Sequence, residues 1–164
     1  MTIEDIKQRA LEGLLRFGSH TPTIYVSGTK ADATILLNDL PEDHHEKRKY
    51  VFLKGAETAK ANAIGTLQEA CLVSEAWVSV GKPGHKIGGE PKKDPQRIEA
   101  LVVYKIDIVN KQERLFMFSM KRNAAGVVRE IVPFQGQEEI QAVSNPLLLT
   151  FIAGYANIAL LGKS

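Results

Sequence analysis

Cysteine is nearly absent from this chain: Cys71 stands alone among 164 residues. No intramolecular disulfide can form, which excludes the small cross-linked secreted scaffolds and points to a reducing, cytoplasmic setting. Long apolar runs are missing too. The longest, LLLTFIAGYANIALL (Leu147–Leu161), has 15 residues and falls short of the roughly 20 that a bilayer-spanning helix needs. No membrane partner is expected. The opening TIEDIKQRALEGLLRF is interrupted by acids and bases and reads as a helix rather than a secretory signal. A large charge imbalance is also lacking. The net charge of +2 is not the basic excess of a dedicated nucleic-acid binder, although a local patch remains open.

Specific chemistry is equally sparse. The chain contains no G-x-x-x-x-G-K-[ST], no G-x-G-x-x-G, no serine elbow and no H-E-x-x-H. It also lacks a fixed-period repeat and a low-complexity tract. No cofactor and no metal are expected on these grounds. What is present is a hydrophobic fraction of 44% with 24% charged residues, enough apolar material for a packed core rather than a disordered chain. The length suggests a single domain over residues 1–164.

The order of local patterns predicts an α+β fold, α-β-β-α-β-β-β-β-α: an N-terminal hairpin and a four-strand antiparallel meander packed by three helices. Thr2 and Asp5 approximate a capping box for a first helix, whose apolar stripe is Ile3, Ile6, Ala10 and Leu14 and whose stop is Gly18. Thr23–Ser27 and Ala33–Leu37 form the hairpin. Asp39-Leu40-Pro41-Glu42 reads as the next helix start, with Asp39 as N-cap. That helix is expected to run to Ile64, stop at Gly65, and bury Phe52, Ala56, Ala59 and Ala63. Strands are predicted at Cys71–Val80, Ile98–Val109, Glu113–Arg122 and Val127–Val132. Asn145-Pro146 opens the last helix, an apolar segment over 146–161 with proline in its favoured first position.

Five features are candidates for function. In PEDHHEKRK, Glu42 and His45 have the E-x-x-H spacing of carboxylate metal bundles, but no second copy exists and adjacent histidines diverge by about 100° on a helix. A solvated first turn is the plainer reading. Cys71, Val73, Glu75, Trp77 and Ser79 share one side of a strand. A carboxylate beside the single tryptophan marks a pocket, whereas the plainer reading pairs Glu75 with Lys105 or Lys121 across the sheet. Cys71 has no basic partner nearby in sequence to activate it. His20, in GSHTP, is a loop histidine suited to proton transfer or to a turn hydrogen bond.

The fourth feature is GKPGHKIGGEPKKDPQR, residues 81–97, a basic Gly/Pro-rich loop with net charge +3. It connects two strands, so it lacks the helix start that a phosphate cradle needs, and it has no aromatic for base stacking. Lys82, His85, Lys86, Lys92, Lys93 and Arg97 remain candidates for contact with an anion or a nucleic-acid backbone. Last is the final helix, whose Phe151, Tyr155 and Ile158 are candidate subunit contacts; core packing is the alternative.

These observations favour a self-associating binding or assembly module, most simply a homodimer, over an enzyme. Its expected ligand is an acidic small molecule, a nucleic-acid backbone or a protein. One alternative is a small hydrolase-like or metal-assisted enzyme with a pocket around Glu75 and Trp77, served by His20, His45 or His85. Another is nucleic-acid-backbone binding through the 81–97 loop.

Overall fold

The computed structural model describes residues 2–78, 98–134, 136, 139–140 and 146–161. The elements follow the chain as α1 (Ile3–Phe17), β1 (Thr23–Gly28), β2 (Asp32–Leu36), α2 (His44–Ala61), β3 (Leu67–Val78), β4 (Ile98–Asp107), β5 (Gln112–Arg122), β6 (Val128–Pro133), β7 (Glu139–Ile140) and α3 (Pro146–Leu161). The fold is α+β. Its antiparallel sheet has the order β2-β1-β3-β4-β5-β6, and the two-residue β7, which the sequence did not signal, pairs with β5. Among the described residues no helix is long and apolar enough to cross a membrane.

The chain forms two compact units. Unit 1 comprises Met1–His20, Val73–Val102 and Phe116–Ile140; unit 2 comprises Thr21–Leu72, Val103–Leu115 and Gln141–Ser164. Strands β3, β4 and β5 each contribute residues to both.

In unit 1, α1 begins with the capping box expected from Thr2 and Asp5 and ends on Gly18 in the left-handed conformation, whose N–H reaches Leu14 O at 2.9 Å. Ile6, Ala10 and Leu14, one face at helical spacing, are fully buried, and α1 packs against β6. The unit 1 part of β5 is buried without alternation from Phe116 to Met120, which is the pattern of a strand covered on both faces.

In unit 2, α2 starts later than expected. Asp39-x-x-Glu42 and Asp43-x-x-Glu46 are both D-x-x-E, and the structure uses the second: the Asp43 carboxylate accepts the Glu46 N–H at 3.0 Å. Proline explains the choice. A cap at Asp39 would place Leu40 in the helix directly before Pro41, where the pyrrolidine ring disfavours helical backbone. At the other end Asn62 (φ 51°) turns left-handed and stops the helix before Ile64. The buried positions are Val51, Gly55 and Ala56; Phe52 and Ala59 are half-buried, and Ala63 lies exposed beyond the helix. Strand boundaries also move. β3 begins at Leu67, and β4 ends at Asp107, whose carboxylate accepts the Asn110 N–H at 3.0 Å and folds a turn that leaves Val109 64% exposed.

The tight contact of unit 2 is α2 on α3. Each helix carries the same four-residue signature, Phe52-Leu53-Lys54-Gly55 and Phe151-Ile152-Ala153-Gly154. A Cβ on Gly55 would collide with the Phe151 carbonyl, and a Cβ on Gly154 would collide with the Phe52 carbonyl. Each glycine therefore admits the other helix's backbone, and the two contacts are reciprocal. Tyr155 adds a tether, its hydroxyl donating to Gly65 O.

Gly55→Ala or Gly154→Ala must push main chain away from main chain, because the obstructing atoms are carbonyls rather than flexible side-chain ends. Each is expected to cost about 1–3 kcal/mol, the range for overpacking a tight contact, despite alanine's better helix propensity. Urea denaturation measures this; unchanged or raised stability in both variants would refute the crossing.

Candidate functional site

Unit 1 places one sequence-predicted pair together. Glu75 on β3 accepts the backbone N–H of His20 at 3.1 Å, so the carboxylate holds the segment that leaves α1. The His20 ring turns back toward α1, its Cδ2 within ordinary contact distance of a Cβ built at Gly13. Neither lysine expected beside Glu75 pairs with it. Lys105 instead meets Glu69 at 3.2 Å in unit 2, and Lys121 is exposed. On β4 and β5, Glu99 receives a two-pronged contact from Arg122, Nε to Oε2 at 2.6 Å and Nη2 to Oε1 at 2.5 Å. The third guanidinium nitrogen, Nη1, donates to Gly126 O at 2.7 Å. This fork geometry is the strong form of a carboxylate pair.

Burial pushes the Glu75 carboxyl above its ordinary pKa, and the Glu99 charge adds to the rise; the His20 N–H and the Arg122 guanidinium pull the other way without cancelling it. Hydrogen bonds to Glu99 lift Arg122 further. A half-buried carboxyl poised in this way is a feature of acid–base sites. Here its partner is the main chain of His20 rather than an imidazole nitrogen. His45 belongs to α2 in the other unit. His85 lies outside the described residues, with Lys82, Lys86, Lys92, Lys93 and Arg97, and so does the Trp77 side chain. Cys71 is buried, and burial pushes its thiol up to about 12, so it is no thiolate nucleophile. Among the described residues no group of three His, Cys, Asp or Glu side chains is placed to hold a metal ion. Glu42 precedes the α2 cap, so the E-x-x-H pair does not share a helix.

Unit 2 contains a feature the sequence did not suggest. A concavity of about 700 Å³ is lined by His44, His45, Lys47 and Arg48 from α2 and by Pro146 and Leu147 from α3. Spacings of three and four residues make His44 a neighbour of Lys47 and Arg48, and His45 a neighbour of Arg48, on the helix surface. The acids of the same turn are engaged elsewhere: Asp43 caps the helix, and Glu46 lies 3.5 Å from Lys49. Lys47 and Arg48 make no ion pair among the described residues. Asp43 already fills the cap and Pro146 has no N–H to give, so an anion here would be held by side chains rather than by helix ends. The signal in the sequence was the HHxKR spacing itself, but it acquires an opposite wall only when α3 crosses α2.

Another hollow, about 690 Å³, is lined by Arg9, Glu12, Gly13, Leu15, Arg16 and Phe17, all of α1. Among the described residues one helix supplies its whole lining, and Glu12, which accepts from Gln8, leaves one net positive charge beside Arg9 and Arg16. Of the expected subunit contacts, Phe151 and Tyr155 are buried within unit 2 and Ile158 is half-buried.

In comparison with known proteins, no family model, no curated protein and no solved structure matches the chain.

The raised Glu75 carboxyl yields a pH test. A folded-state pKa above the unfolded value means that protonated Glu75 favours folding, and that this stability is lost as pH rises through the raised pKa. Glutamine keeps an oxygen for the His20 N–H and never ionises. Glu75→Gln is therefore expected to raise Tm near pH 7.5, with the gain vanishing near pH 4, in paired thermal melts. A variant less stable than wild type at the higher pH would contradict the assignment.

Proposed function

We propose that the chain is a self-associating binding module whose ligand is an anion, held in the concavity between the starts of α2 and α3. One observation carries the reading: two cations that have no ion-pair partner among the described residues, and two histidines, face a hollow whose volume falls in the range of small-molecule sites, about 300–1,000 Å³. Cations that stabilise a fold meet carboxylates, as Arg122, Lys105 and Lys49 do here. Among the described residues Lys47 and Arg48 have no such partner, and helix spacing turns both toward the hollow with His44 and His45. Binding is preferred to catalysis because, among the described residues, no nucleophile stands with the two histidines and no cluster of metal-ligating side chains is formed.

Self-association is supported separately by α3. The segment from Pro146 to Leu161 contains no charged residue. With Phe151 and Tyr155 turned inward, the opposite side leaves Leu149 40% exposed, and Ala153 and Ala156 exposed as well. These positions recur at helical spacing. A charge-free stripe is complementary in chemistry to itself, and a closed twofold pairing of two copies buries it.

Binding of inorganic pyrophosphate, followed calorimetrically, is expected to weaken on the order of ten-fold in Lys47→Ala/Arg48→Ala, each exposed charge pair being worth ~0.2–1 kcal/mol. The same binding is expected to survive alanines at Lys82, Lys86, Lys92 and Lys93; the reverse pattern assigns the anion site to the 81–97 loop instead. Light scattering at high micromolar concentration is expected to give a dimer mass for the wild type and a monomer mass for Ala153→Glu. A monomeric wild type removes self-association.

A further inference from the structure

The two walls of the concavity differ in chemistry, and that difference narrows the ligand. Resting on the anion-binding reading above, we infer that the ligand is an amphipathic anion: one compact anionic group joined directly to an apolar ring or short hydrocarbon. The α2 wall is entirely nitrogen-bearing, from His44, His45, Lys47 and Arg48, whereas the α3 wall is Pro146 and Leu147. Leu147 is half-buried and Pro146 exposed, so both present apolar surface to the hollow.

A bare polyanion uses only the first wall. It also brings its hydration shell against Pro146 and Leu147, where water gains no hydrogen-bond partner. An uncharged hydrocarbon uses only the second wall and must desolvate the lysine and arginine heads with nothing in exchange. A phosphate or carboxylate next to an apolar body satisfies both, the anion meeting Arg48 and Lys47 while the body covers Leu147 and removes its surface from water. A volume of about 700 Å³ admits a ring of benzene size with its acidic group. Small-molecule sites commonly combine apolar lining with a few convergent polar groups in this way.

The test compares inorganic phosphate with phenyl phosphate on the wild-type chain and on Leu147→Ser, by calorimetry at fixed salt. Phenyl phosphate is expected to bind the wild type about ten-fold more tightly than inorganic phosphate. Leu147→Ser is expected to lower that preference, with Pro146 still in the wall, the loss being larger for phenyl phosphate than for inorganic phosphate. Equal affinities on the wild type overturn the amphipathic assignment and leave the anion site standing. A preference undiminished in Leu147→Ser overturns the placement of the apolar group against Leu147. Absence of binding by either compound overturns the anion reading itself. The wild-type comparison needs no variant to fold.

Discussion

The main chains of α2 and α3 touch, and the architecture of unit 2 depends on that contact. Helices normally pack at 8–10 Å because side chains separate them. Here Gly55 faces the Phe151 carbonyl and Gly154 faces the Phe52 carbonyl, so the usual spacer is gone on both sides. The same glycines set the position of the concavity. Arg48 precedes Gly55 by seven residues, and Leu147 precedes Gly154 by seven. That is about two turns, or roughly 10 Å of helix on each side. Two equal arms leave one crossing point, and the hollow is lined by their first residues.

Charge is distributed along the same lines. Arg122 with Glu99 and Lys105 with Glu69 join neighbouring strands, while Lys49 with Glu46 and Lys54 with Glu57 sit along α2. These pairs account for their cations structurally. Glu75 is the complementary case, a carboxylate whose partner is a backbone amide and whose charge burial disfavours. Unit 1 thus holds a carboxyl at some cost to its ionised form, and unit 2 holds two cations, Lys47 and Arg48, with no carboxylate partner among the described residues. Each departs from the pattern of mutual neutralisation seen in the other pairs.

Much of the fold was legible in local patterns, for identifiable reasons. The Thr2–Asp5 box, the Ile6, Ala10, Leu14 stripe and the Pro146 start depend on neighbours within four residues, and all three appear in the structure. The start of α2 was misplaced because two D-x-x-E boxes stand in tandem, and only the stereochemistry before Pro41 separates them. Its buried face was misread because alanines at 59 and 63 suggest close packing, whereas the close packing uses Gly55. The paired Phe-x-x-Gly signatures lie 99 residues apart, and nothing local connects them. For the sites, Glu75 and His20 were both identifiable as chemistry-bearing residues, and the sheet brings them together through a main-chain amide that composition does not encode. The α2 cations were visible as a solvated turn; their concave setting exists only in the tertiary structure.

The central claim is that the crossing of α2 and α3 builds an anion site from the first turns of both helices. The direct measurement is an amide-resolved NMR titration of the wild-type chain with phenyl phosphate. Shifts concentrated at residues 44–48 and at Leu147 are predicted, saturating with a single binding curve. Shifts confined to residues 81–97, or none at saturating ligand, would contradict it.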